Sequence, residues 1–279
     1  MSNRELPFPM HEHAIMLGDR TRMSLIKQAI KEYANPTASF LELGCGTGAF
    51  TIYAAQHYAH AVGVERDESV IEFGRGAAAN SIGHQSLDLI CSDLFDFAER
   101  FNGTRFDVIF SELLSPWILR EPQFSAFEIA KQYLLKPGGQ LIPSAVVFSV
   151  EVGIFDFDFE GIPLKSHHYD FHAGSRFQAL TLPGCVARIE FQQTKPAPPT
   201  HGEVLLQVLL QGPANAVRIH TGAQLSPSVV LWGTPSIMPS VIYPLEKPLF
   251  VSPDEQPRLL WQMSLEGGLE SASFSLDRT

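Results

Sequence analysis

The stretch Leu41-Glu42-Leu43-Gly44-Cys45-Gly46-Thr47-Gly48-Ala49 constrains this chain more than any other. It closes an apolar run that begins at Ser39, turns on three glycines and leads into the helix-compatible residues 50–58. Strand, tight loop and helix start, in that order, describe the first crossover of a nucleotide-binding α/β sheet. Glycine lets the loop backbone approach a ligand that a Cβ would push away, and the helix start presents unpaired N–H groups. Gly44, Cys45, Gly46 and Gly48 are therefore candidate cofactor-binding residues. Gly44, Gly46 and Ala49 satisfy the dinucleotide pattern G-x-G-x-x-G/A. Glu42 points to a different ligand. An acid two residues before the first glycine faces a pyrophosphate unfavourably, yet suits the ammonium of an amino-acid-bearing cofactor.

The rest of the chain repeats the alternation that the loop begins. Residues 1–9 are polar and proline-bearing and read as an arm. Met23, Ile26, Ala29, Ile30 and Tyr33 then recur at helical spacing behind Asp19, a candidate N-cap, and Asn35-Pro36 stops that helix. Strands are expected at 60–64, 87–91 and 106–110, with helices over 67–80 and 123–135; Lys136-Pro137-Gly138-Gly139 ends the last helix before a strand at 140–142. Alternation of this kind implies a mostly parallel, Rossmann-like sheet with helices. The character changes near Pro143: of 20 prolines, 15 lie at or beyond Pro137, and extended runs at 145–152, 186–191, 204–210 and 259–265 alternate with turn residues such as those of 196–199. The expected organisation is an arm and cofactor-covering helix (1–35), an α/β domain (36–142) and an all-β, barrel-like domain (143–279).

Composition narrows the function. An apolar share of 45% with 18% charged residues describes a folded protein, and a net charge of −10 argues against a general affinity for nucleic-acid phosphates. A basic substrate is easier to attract. Cys45, Cys91 and Cys185 are odd in number and lack metal-ligand spacing, so reduced thiols in the cytoplasm are expected, with no metal. No apolar stretch is long enough to span a membrane.

Acids mark the expected ligand edge. Glu65, about twenty residues beyond the loop, and Asp93 follow successive strands, where open α/β sheets bind ligands; one suits ribose hydroxyls and the other an adenine amine. After the fourth strand, Glu112 and Glu121 stand nine residues apart around a proline-bearing loop. Paired carboxylates in an apolar setting need a cation between them, and a planar guanidinium accepts two at once. Trp117 and Trp232 are candidates to line such a site by cation–π contact. His167 and His168 lack acidic partners at metal spacing and read as surface residues.

Glu42-x-Gly44-x-Gly46-x-Gly48 resembles motif I of the class I S-adenosylmethionine-dependent methyltransferases. Residues 111–121 resemble the double-E loop of the protein arginine methyltransferases, with Ser111-Glu112-Leu113-Leu114 nearer the wording of the symmetric-dimethylating branch. His13-x-x-Met16-Leu17-x-Asp19-x-x-Arg22 is similar to that family's pre-motif helix, and residues 136–143 to its crossing into a barrel. The resemblance implies an S-adenosylmethionine cofactor, with Arg22 on its carboxylate, Glu42 and Gly44 at its amino-acid end, Met16 near its sulfonium and Glu65 on its ribose. It also implies that Glu112 and Glu121 hold a substrate guanidinium, that of an arginine in a protein or peptide. Two departures keep a small guanidine or amine substrate, or a catalytically silent binding module, as alternatives: the Thr-His-Trp loop corresponds to Val230-Leu231-Trp232, and the tyrosine-rich N-terminal helix is missing. The aromatic segment 155–177 is the candidate arm for a homodimer.

Overall fold

The computed structural model describes residues 9–79, 86–171, 175–193 and 198–279. The chain divides into two compact units. The first comprises Met1–Leu113, Gln123–Ser144 and Gln224–Leu231; the second comprises Leu114–Pro122, Ala145–Ala223 and Trp232–Thr279. A single cut near Pro143 therefore misses two exchanges: the segment after Glu112 belongs with the β-rich unit, and part of a late hairpin belongs with the α/β unit.

In chain order the first unit runs α1 (Met10–Gly18), α2 (Arg20–Glu32), β1 (Ser39–Leu43), α3 (Ala49–Ala54), β2 (His60–Glu65) and α4 (Glu68–Ala79). It continues with β3 (Leu87–Cys91), α5 (Leu94–Arg100), β4 (Phe106–Ser111), α6 (Gln123–Tyr133) and β5 (Leu135–Ile142). Its sheet is parallel in the order β3-β2-β1-β4-β5. The order reverses beside β1, so the crevice beyond the carboxyl ends of β1 and β4 is the switch point where such sheets take ligands. Leu41, Leu43, Val64 and Ile109 are fully buried in this sheet, as its two covered faces require. Phe110 stacks on Phe40 and takes Phe50 edge-on, which anchors the short α3 behind the glycine loop.

Two local expectations change. Lys136 to Gly139 lie within β5 rather than between helix and strand, because the register of β4 against β5 slips there and Gly138 sits at φ +78°. Helix α5 was not legible as periodicity; Asp93 starts it by accepting the Phe95 N–H at 2.9 Å.

The second unit is antiparallel: β6 (Ala145–Ile154), β7 (Asp158–Phe159), β8 (Ile162–Pro163), β9 (His168–Asp170), β10 (Gln178–Ala179) and β11 (Gly184–Glu190). Then follow β12 (His201–Leu205), β13 (Gly212–Ser226), β14 (Val229–Trp232), β15 (Ser240–Val251), β16 (Arg258–Gln262) and β17 (Ser273–Asp277), of which Gln224–Leu231 are counted with the first unit. The larger sheet has the order β10-β6-β13-β15-β9, with β11 on β6 and β14 on β13; β12-β16-β17 form a smaller one. Trp117, Phe148, Trp261 and Phe274 pack ring to ring in its core. The two longest strands, β13 and β15, escaped the sequence reading because Gly212, Pro213, Pro244 and Pro248 punctuate them. Residues 1–8 of the expected arm, and 196 and 197 of the expected loop, lie outside the described residues.

Candidate active site

The glycine loop turns in left-handed backbone. Gly44, Gly46 and Gly48 have φ of +72°, +51° and +72°, values that a side chain disfavours. Space is short as well: a Cβ on Gly44 would lie 2.9 Å from Leu113 Cδ2, and one on Gly46 2.9 Å from His13 Cε1. His13 on α1 thus lies over the loop, where burial pushes its imidazole down against the pull of Glu65. The loop N–H groups are already committed. Gly44 and Cys45 donate to Val64 O at 2.9 Å each, Gly48 to Cys45 O at 2.8 Å, and Gly46 to Glu65 Oε2 at 2.9 Å. A phosphate cradle would need those donors free. The glycines therefore leave space for close approach, while four of the loop N–H groups are not offered to an anion.

Carboxylates dominate the edge instead. Glu65 ends β2 and accepts Arg66 N–H at 2.8 Å and Asp67 N–H at 3.0 Å on Oε1, besides Gly46 on Oε2. Main-chain donors fix the group, and a carboxylate's lone-pair sites leave capacity for hydroxyls. Asp93 spends Oδ1 on capping α5. Cys45 is buried, and that burial pushes its thiol well up, which makes it a packing residue under the loop.

Glu42 is 3% exposed and takes the hydroxyl proton of Thr51, itself fully buried, as a hydrogen bond. Burial drives the Glu42 carboxyl up to about 8, with the Glu112 carboxylate adding to the shift and Thr51 and Arg22 opposing it. Glu112 is equally enclosed. Arg22 on α2 grips it with two parallel hydrogen bonds, from Nε and Nη2, while its Nη1 donates to Met16 O at 2.9 Å and the guanidinium lies 5.2 Å from the Phe50 ring centroid. Burial raises the Glu112 carboxyl even so, with Arg22 pulling it back. Arg22, Glu42, Glu112 and Met16 are thus brought together by elements far apart in sequence.

Gln123 and Ser115 hold the backbone around the two loop acids, and neither was singled out from the sequence. Gln123, fully buried at the start of α6, accepts the Leu113 N–H at 2.8 Å and so pins the residue after Glu112. In the second unit, buried Ser115 accepts the N–H of Arg120 at 2.9 Å and of Glu121 at 3.1 Å. Only their polarity inside an apolar loop could have flagged them.

Trp117 corrects an expectation. It is fully buried, stacked on Phe148, with its indole N–H donated to His220 O at 3.0 Å and its backbone N–H to Thr221 Oγ1 at 2.8 Å. No ring face is open to a cation. Trp117 and Ile118 hold φ of +51° and +53°, strain that core packing and the bonds to their neighbours sustain. Trp232 is different: it is 52% exposed and lies against Gly222.

A family profile described as a methyltransferase domain matches residues 40–139, from β1 to β5. The solved Trypanosoma brucei PRMT1 enzyme-prozyme heterotetrameric complex with AdoHcy superposes with a TM-score of 0.77 at 19% identity, over 90% of this chain and 87% of that one. The chain thus carries a methyltransferase domain over residues 40–139 and has a fold similar to that of the trypanosomal complex. An uncharacterized protein of Methanothermobacter thermautotrophicus is 26% identical over 95% of this chain and 96% of its own length. A probable protein arginine N-methyltransferase 3 of Oryza sativa subsp. japonica is 26% identical over 50% of this chain and 26% of its own. The chain thus spans about a quarter of that arginine methyltransferase. The acceptor-rich edge, with its glycines in close-approach geometry, fits a ligand that carries an ammonium and ribose hydroxyls, as S-adenosylmethionine does.

Proposed function

We propose that this protein transfers a methyl group to a guanidino nitrogen of arginine in a protein or peptide. The observation that carries the proposal is the grip of Glu112 on a guanidinium: a buried carboxylate, pinned through Gln123, already accepts two in-plane N–H bonds from Arg22. Such a group is shaped for a planar cation. Glu121, whose backbone Ser115 holds, is the second carboxylate of the clamp.

When bound, the cofactor supplies an electrophilic sulfonium methyl. Arg22 turns its guanidinium toward the cofactor's carboxylate, Glu42 with Gly44 meets its amino-acid end, Glu65 its ribose and Asp93 its adenine. The backbone of Gly46 and Gly48 forms the surface it lies on, with the Cys45 side chain packed beneath and its backbone part of the same turn, and Met16 flanks the sulfonium. Glu112 and Glu121 orient the substrate guanidinium, concentrate lone-pair density on the attacking nitrogen and receive charge as its proton leaves. Trp232 lines the approach. The exposed Ile162, Leu164, Tyr169 and Phe171 form the apolar surface of a dimerisation arm, and the cytoplasm is the proposed compartment.

The test is incubation with labelled cofactor and matched peptides that differ only by arginine or lysine. Arginine alone should be methylated, and Glu112→Gln or Glu121→Gln should cut turnover by orders of magnitude, since a charge-assisted contact is worth roughly 1.5–3 kcal/mol before misorientation is counted. Equal labelling of both peptides would overturn the clamp and favour a small-amine substrate.

A further inference from the structure

The buried cluster beside the glycine loop does not balance its charge. Glu42 on β1 and Glu112 after β4 are both carboxylates, and among the described residues Arg22 on α2 is the cation that faces them. Arg22 is committed to Glu112 by two hydrogen bonds. Around Glu42 the other described elements bring uncharged groups. Its neighbours in the sheet register are Gly63 on β2 and Phe110 on β4; α3 brings the Thr51 hydroxyl, and the loop brings the Cys45 thiol, which burial keeps protonated. Were both carboxyls ionised, the described cluster would hold two negative charges against one positive.

The packing shows that this arrangement is built rather than incidental. A Cβ on Gly63 would come within 2.6 Å of Thr51 Oγ1 and 2.9 Å of Cys45 Sγ, so glycine at that point on β2 leaves room for the hydroxyl that bonds Glu42. Thr51 is fully buried on α3, where Phe50 and Ala54 are buried with it. It therefore has little freedom to turn away.

We infer that Glu42 carries a proton in the ligand-free protein and releases it when the cofactor's ammonium arrives, with Thr51 as the positioning residue that holds Glu42 ready for the exchange. The inference rests on the assignment of Glu42 to the cofactor's amino-acid end. The carboxyl O–H bond breaks, the proton passes to the buffer, and the carboxylate accepts an N–H from the ammonium; the cluster keeps the same total charge. Burial that lifts Glu42 to about 8 agrees with a protonated resting state at neutral pH. The exchange makes cofactor binding a proton-linked equilibrium.

Calorimetric titration of the intact protein with S-adenosylhomocysteine tests this. That product lacks the sulfonium that acidifies the neighbouring amine, so its own ammonium does not complicate the count. In two buffers of different ionisation enthalpy at pH 7, the heats should differ by the equivalent of about one released proton, and affinity should rise roughly tenfold per pH unit from pH 6 before levelling above about pH 8. Glu42→Gln should bind more weakly at pH 8.5 with no proton release and a flat pH profile. Thr51→Val should move the levelling point to higher pH, and Thr51→Ser should restore it. Binding with no buffer dependence and a flat profile in the wild type would overturn the inference while leaving the cofactor assignment standing. A proton count that persists in Glu42→Gln would place the released proton elsewhere and overturn it too. Absence of binding at every pH would remove the cofactor assignment, and the inference with it.

Discussion

Replacing Glu112 by glutamine should destabilise the ligand-free protein as well as silence it. Arg22 and Glu112 have side-chain exposures of only 7% and 8%, so neither charge can turn to water when its partner is lost. Removing one member of a buried pair costs roughly 3–5 kcal/mol. Glutamine keeps one acceptor for the guanidinium, which puts the expected loss nearer 2–3 kcal/mol. At roughly 2–4 °C per kcal/mol for a unit of this size, the first melting transition should fall by about 4–12 °C. The same chemical change at Glu72, whose ion pair with Arg75 is exposed, is the control and should leave the transition almost unmoved. Cofactor should then restore more stability to Glu112→Gln than it adds to the wild type, because its carboxylate is the proposed partner for the orphaned guanidinium. Differential scanning calorimetry, with and without S-adenosylhomocysteine, reads both effects. A melting point within about 1 °C of wild type would show that Arg22 and Glu112 do not form a buried pair.

Gly46→Val should abolish cofactor binding in calorimetry while the fold persists by circular dichroism, because the new side chain meets His13 and disfavours φ of +51°. Trp117→Phe should destabilise the second unit by about 1–3 kcal/mol in denaturant titrations, through loss of the bond to His220 O and of ring volume, whereas Trp232→Phe, half exposed, should cost less than about 1 kcal/mol. Deleting residues 161–174 should convert the proposed dimer to a monomer by light scattering; an intact chain already monomeric at micromolar concentration would remove the arm from the argument.

Local chemistry decided a large part of this protein before any tertiary contact was known. The glycine loop is a short-range instruction: positive φ at three positions and an apolar strand before them depend on neighbours in sequence, so the first crossover was legible, as were the strands ending in Glu65, Cys91 and Ser111. The change to extended runs and prolines after Pro143 is likewise local, although Gly and Pro within β13 and β15 concealed the longest strands, whose length comes from pairing rather than propensity.

Partnerships between distant residues had no such signal. That Arg22 meets Glu112, 90 residues away, follows only from placing α2 over the β1–β4 crevice. Burial also reassigns residues whose type alone is ambiguous: an indole beside prolines became the centre of an aromatic core at Trp117, and an acid read as a plain ion became, at Glu42, a carboxyl that burial favours keeping protonated. Side-chain type and spacing are written in the chain. Dielectric environment and the number of charges sharing one enclosed space belong to the folded state, because both are properties of everything that packs around a group rather than of the group itself.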